Sequence, residues 1–249
     1  MRWGRLAAAN YRGVSLPRIL GIWLAASGAA SALAVAVVRH VGAAGWGALT
    51  GALLVFAAGL LDDLSPVGPR GLRNHLRFLV AGRMTTGILK LFVAVGASVV
   101  IVALQPPRET IVWLAGIVLL AASANVWNGL DVAPGRALKA FLPVIAVVIA
   151  VWPPVAQVPL LPGIAIGAVP ALALDLRERA MLGDGGSNLL GLAAGLGLYA
   201  VLPGWAVVVA ALVAVALNVL ADTVTLTRAI QACPPLRWLD RAGRLRPSA

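Results

Sequence analysis

Carboxylates and amides recur in this chain where uncharged runs end: Asp62-Asp63, Asn125-x-x-Asn128-x-x-Asp131, Asp175, Gly183-Asp184-Gly185-Gly186-Ser187 and Asp222. Ionised carboxylates are hard oxygen ligands suited to Mg²⁺, which takes one or two of them and completes its shell with water and phosphate oxygens. Glycines let a backbone approach closely, and the free N–H groups at a helix start suit a phosphate. The residue types therefore point to a metal ion and phosphates held together. The bland readings are a stop signal for Asp62-Asp63, an interhelical amide bond for Asn125 and a Ser187 helix cap for the glycine-rich turn. Against the first, negative charge at a helix C-terminus opposes the macrodipole, and adjacent carboxylates repel unless a cation lies between them.

The elements that must position these groups are membrane-length. Hydrophobic residues make up 61% of the 249, charged residues 12%, and mean hydropathy is +0.94. Crossing ~30 Å of hydrocarbon takes about 20 apolar residues. Uncharged stretches of that length predict helices near 19–38, 43–61, 87–104 and 110–128. Two stretches of double length, broken at Pro153-Pro154 and Pro203-Gly204, predict hairpins over 138–152 with 158–174 and 188–202 with 205–221. The fold class expected is all-α: a polytopic membrane bundle of about eight transmembrane helices, one integral membrane domain over 1–249. An N-terminal loop (1–18) and a basic tail (223–249) flank it. A carboxylate at mid-bilayer costs about 2.5–3.5 kcal/mol, so the acids belong at or beyond the interface.

Eight spans put both termini on one side. All Lys and Arg residues except Arg39 and Arg108 then fall on that side or at its boundary, as do all acids except Glu109. By the positive-inside rule it is the cytoplasm. Topology thus accounts for the net charge of +11, and nucleic acid is not an expected partner; anionic lipid head groups and a polyanionic nucleotide are. The single cysteine, Cys233, excludes an internal disulfide. No cleavable signal peptide is evident, and no repeat or low-complexity segment is present.

Asn125 and Asn128 share a helical face, with Asp131 emerging beyond Gly129. Pro134-Gly135-Arg136 and Lys139 follow, giving a polar pocket with a basic rim. Arg70, Arg73, Arg77, Arg83 and Lys90 read mainly as topology determinants and lipid contacts, with one or two available to grip a diphosphate. Lys90 sits where its ammonium snorkels to the interface. His75 reads as a loop residue and His40 falls outside. Asp175 is in reach of Arg177 or Arg179, and Asp222 ends the last span. Residues 228–246 read as an interfacial segment on the cytoplasmic surface.

The ordered set N-Y-R-G-x-S-x-P-R-x-x-G (Asn10 to Gly21), D-D (Asp62, Asp63), N-x-x-N-G-L-D (Asn125 to Asp131) and M-L-G-D-G-G-S-N (Met181 to Asn188) resembles the polyprenyl-phosphate N-acetylhexosamine-1-phosphate transferases. That superfamily includes phospho-N-acetylmuramoyl-pentapeptide transferase and the UDP-GlcNAc:undecaprenyl-phosphate GlcNAc-1-phosphate transferase. The resemblance covers nearly the whole chain. It implies transfer of a sugar-1-phosphate from a UDP-N-acetylhexosamine to polyprenyl phosphate, with release of UMP, in the cell membrane and in cell-envelope polymer synthesis. It also implies a Mg²⁺ cofactor, with Mn²⁺ as its substitute, and assembly as a homodimer. Asp184 would be the principal metal ligand with Asp63, and Asp62, Asp63, Asp131 and Asp184 would form the catalytic set. Asn10, Arg12, Asn125, Asn128, Arg136, Lys139, Gly183, Gly185 and Ser187 would bind substrate.

The chain departs from the family in three respects. Asn128-Gly129-Leu130-Asp131-Val132 stands where members usually carry D-G-x-D-G, no histidine follows Asp222, and the family's first and last spans are missing. A non-catalytic homologue that binds a lipid phosphate is the alternative these departures raise, and a transporter is a second. Transporters, however, place their polar groups near the bilayer midplane, whereas these acids gather at one face.

Overall fold

The computed structural model describes residues 6–65, 77–78, 80–82, 84–151 and 155–245. A short antiparallel hairpin comes first, β1 (Ala7–Ala9) paired with β2 (Ser15–Pro17). Ten helices follow among the described residues: α1 (Leu20–Val38), α2 (Ala43–Leu64), α3 (Thr86–Leu104), α4 (Thr110–Leu130), α5 (Arg136–Val151), α6 (Leu161–Leu176), α7 (Gly183–Val201), α8 (Gly204–Thr223), α9 (Leu226–Ala232) and α10 (Pro234–Arg241). A helix thus lies over each of the eight expected ranges.

Five of them, α1, α2, α3, α4 and α8, are long and apolar enough to cross a membrane by length and composition. The architecture is that of a helical membrane bundle. The other three differ for local reasons. Helices α5 and α6 have 16 residues each, about 24 Å at 1.5 Å per residue, and each contains an interior proline, Pro143 and Pro170. Helix α7 begins with glycines, an aspartate and a serine, which dilute its apolar character.

Helix α7 is the centre of the bundle. It packs against α4, α2, α5 and α1, and nearly every residue from Gly185 to Gly197 is buried. Glycine makes this closeness feasible. A Cβ on Gly59 of α2 would fall 2.6 Å from the Asp184 carbonyl oxygen, and one on Gly21 of α1 would fall 2.6 Å from the Gly186 nitrogen. Small residues at helix contacts are how bundles pack tightly where lipid removes the hydrophobic driving force between helices. Leu24, Leu120, Phe141 and Ile164 fill the core, and further large apolar side chains point outward: Val37, Phe92, Ile111, Ile166 and Leu212 are all exposed. Ser98, Ser123, Ser187 and Asn188 lie inside.

The helices alternate in direction, so their ends segregate into two layers. At one end Ser31 donates to the Pro159 carbonyl, and Arg108 donates to the Leu202 carbonyl and covers the Tyr199 ring. At the other lie Arg18, Asp62, Asp63, Lys90, Asn128 and Asp184. This second, polar end carries the hairpin as well. Asn10 closes its turn by accepting from the Arg12 and Val14 amides, and Pro17 is stitched to Met181 just ahead of α7.

Candidate functional site

Two helix ends meet head to tail at the polar end, the C-terminus of α2 and the N-terminus of α7. Asp63 fastens them. One carboxylate oxygen accepts from Arg18 at 2.9 Å, the other from the Gly185 amide at 3.1 Å, and Arg18 also donates to the Asp63 carbonyl. Gly183 turns the chain into α7 with φ +67°, and a Cβ there would fall 2.5 Å from Asp63 Oδ2. No other residue type fits both the left-handed backbone and the carboxylate behind it.

With Asp63 spent, Asp62 and Asp184 face each other. Lys90, from the first turns of α3, bridges them with its ammonium 2.5 Å from an oxygen of each. Asn128, from the last turn of α4, donates to the same Asp184 oxygen at 3.4 Å. Asp131 caps α4 nearby, and its carboxyl has no hydrogen-bond partner among the described residues. Burial, then the negative charges of Asp175, Asp184 and Asp63, push that carboxyl well above the usual carboxylate range. Among the described residues, Arg18 and Lys90 are the cations that pair with the acids of this site.

The remaining expected residues divide. Asn125 leaves the site: it donates to Asn218 of α8 at 2.5 Å, an interhelical amide pair of the bland kind, and Asn218 donates on to carbonyls of α4 and α8. Ser187 is buried within α7, where it donates back to the Gly183 and Asp184 carbonyls and does not cap the helix. Asn10 and Arg12 are both engaged by Glu178, whose own backbone is left-handed at φ 51°. Asp175 accepts from the Gly135 amide, not from Arg177 or Arg179. Asp222 is exposed. Arg70, Arg73, His75 and Arg83 lie outside the described residues.

Arg136 and Lys139, expected as a substrate rim, are taken up by the tail. Arg136 pairs with Asp240 through two nitrogens, at 2.8 and 3.1 Å. Lys139 donates to the carbonyls of Leu239, Asp240 and Ala242, the C-terminal end of α10, where a cation suits the helix dipole. Arg244 also pairs with Asp240. Burial acts to raise the Asp240 carboxyl, but the Arg136 hydrogen bonds and the charges of Arg136, Arg244 and Lys139 hold it below its usual value.

Two pairings were not read from the sequence: Lys90 with Asp62 and Asp184, and Glu178 with Asn10 and Arg12. The signal for Lys90 was present, a lone cation inside an apolar helix. Glu178 gave none, because its partners lie 166 to 168 positions away.

Among the described residues no three metal-type side chains lie close enough to hold an ion on their own. Asp62 and Asp184 are two carboxylates on opposed helix ends, which fits a Mg²⁺ completed by substrate phosphates. A cleft at the opposite end, lined by Arg108, Glu109, Leu202 and Trp205, has Glu109 as the single carboxylate among its described lining residues. No family model matches the chain, and no curated protein or solved structure matches it.

Proposed function

We propose that the chain is a membrane glycosyl-1-phosphate transferase, moving a sugar-1-phosphate from a UDP-N-acetylhexosamine to polyprenyl phosphate with release of UMP. The reading includes eight spans, both termini and the acids on the cytoplasmic side, and a role in envelope polymer synthesis. It rests on the family resemblance of the motifs. The observation that carries it is the Asp62–Lys90–Asp184 cluster with Asn128, closed by opposed helix ends at the polar face of an apolar bundle. A lipid phosphate anchored in the bilayer and a soluble nucleotide can meet only at such a face.

Phosphoryl-type transfer needs positioning and charge neutralisation more than covalent chemistry from the protein. Asp62 and Asp184 would hold the metal, because both oxygens of Asp63 are already hydrogen-bonded. Bound there, Mg²⁺ supplies charge neutralisation to the diphosphate. Asp63 is then a positioning residue that locks α2 onto α7. Lys90 neutralises the two carboxylates until phosphate oxygens arrive, and its ammonium is placed to pair with them. The acceptor phosphate oxygen attacks the β-phosphorus of the donor, the bond from that phosphorus to the bridging oxygen breaks, and UMP leaves with that oxygen. Asn128 donates to the same Asp184 oxygen as Lys90, and an acid in its place would add one more negative charge.

The test is UMP release by purified protein in detergent with undecaprenyl phosphate, Mg²⁺ and a panel of UDP-sugars, with EDTA and Asp184→Asn controls. Metal-dependent UMP from one donor supports the reading and names the sugar. One observation favours a second reading. Lys90 is itself a cation set between Asp62 and Asp184, so the chain neutralises this pair from within, as a non-catalytic lipid-phosphate binder would require. Lipid-phosphate binding by folded protein that releases no UMP from any donor would select it.

A further inference from the structure

Helix α10 is amphipathic in an unusual way. Its residues advance about 100° each around the axis, which sets Pro235, Leu236, Trp238 and Leu239 along one arc and Arg237 and Arg241 on the adjoining one. Asp240 lies between Leu236 and Arg237 and is buried at 5% exposure, clamped to Arg136. Trp238, Leu239 and Leu236 remain 70%, 52% and 47% exposed. The clamp therefore fixes the helix with its apolar arc turned away from the protein. Three apolar side chains presented to water by a rigidly held helix are unfavourable unless something covers them.

We propose that α10 is a membrane-surface foot: its apolar arc beds in the bilayer interface beside the polar end of the bundle, and Arg237 and Arg241 bind anionic phospholipid head groups. Charge complementarity selects this occupant. Asp240 is the sole acid from Thr223 to Leu245, and it is matched internally by Arg136 and Arg244. Outward the segment shows only cations, Arg228, Arg237 and Arg241, all exposed. Trp238 is the side-chain type that settles at the head-group level, and basic amphipathic helices bind anionic surfaces through apolar burial plus charge. The helix also follows α8, one of the membrane-length helices, after the single short helix α9. The inference does not depend on the transferase reading.

The chain's one cysteine, Cys233, adjoins α10 and provides a native labelling position. The full-length protein, spin-labelled there, is placed in nanodiscs of phosphatidylcholine alone or mixed with phosphatidylglycerol. Collision with lipid-soluble oxygen should rise, and collision with a water-soluble nickel chelate should fall, when the anionic lipid is present. Arg237→Gln and Arg241→Gln should each lower the docked-to-released ratio about fivefold, Arg→Lys should retain it, and Trp238→Glu should expose the label to the chelate in both bilayers. These side chains are exposed, so elution profiles should stay those of the wild type. Should a variant fail to fold, the wild-type comparison between the two bilayers decides alone. Equal accessibility in both bilayers would overturn the proposal, as would a short label-to-label distance showing a second copy on this face.

Discussion

In the tail clamp one carboxylate, Asp240, meets two arginines and Gln231. Around Asp184 the carboxyls of Asp62, Asp63 and Asp131 share Arg18 and Lys90. Both clusters sit at the polar end of the same bundle and draw on the same residue types. The clamp is complete: each oxygen of its acid is met by charged or amide donors, and nothing further is required. Among the described residues the other cluster has more acids than cations, and one acid, Asp131, lacks a hydrogen-bond partner for its carboxyl. Buried charge is costly unless paired. The cation proposed above would enter at this convergence of helix ends, whereas the clamp has a structural task and is finished by it.

The largest effect expected from breaking this contrast is at Asp184. Asp184→Asn should lower UMP release by about a thousandfold or more, while Asp240→Asn should leave the rate near wild type. Asp63→Asn should cost about 10- to 100-fold, the usual range for a group that orients a ligand from behind, and its loss should appear at every Mg²⁺ concentration. Lys90→Met removes the internal cation, so the metal-free protein should melt at lower temperature. Added Mg²⁺ should raise the melting temperature of Lys90→Met more than that of the wild type. An equal response in both would deny that lysine and metal compete for one pair of carboxylates.

Smaller effects sharpen the comparison from the clamp side. Asp240 is held below its ordinary value, so its contribution is fully present above the unfolded carboxylate pKa of about 4 and is lost as pH falls through the folded value. The tail should therefore stay docked at neutral pH and release only in acid, which a fluorophore on Cys233 would report. Asn128→Asp places a further acid beside Asp184. It should leave the fold intact and turnover unchanged or raised, measured as UMP release at saturating Mg²⁺. Unfolding of that variant would instead make Asn128 a structural amide.

Much of this arrangement was legible in the sequence because lipid imposes long, uncharged runs. Helices lie where those runs end, within a few residues, and the acid and glycine clusters fall at their polar ends. The helices extend further than the runs at that end: α2 continues through Asp62 and Asp63, and α7 starts at Gly183. Pairing was not legible. Asn125 and Asn128 share a face by spacing, yet one turns to Asn218 and the other to Asp184, a division set by which helix packs on each side. Arg136 and Lys139 look like a substrate rim in the sequence because Asp240 is about a hundred residues away. The hairpin gave no signal, since Ala7–Ala9 and Ser15–Pro17 are too short to show an alternating pattern.

The central claim is that the acid-rich cluster, and not the clamp, does cation-dependent phosphoryl chemistry. The most direct test follows UMP and the lipid-linked sugar product together, from wild-type protein, Asp184→Asn and Asp240→Asn, in Mg²⁺ and after EDTA. The account predicts equal yields of the two products from wild type and Asp240→Asn, none from Asp184→Asn, and loss with EDTA that Mg²⁺ restores. Product formation by Asp184→Asn at the wild-type rate, or indifference of the wild type to EDTA, would contradict it.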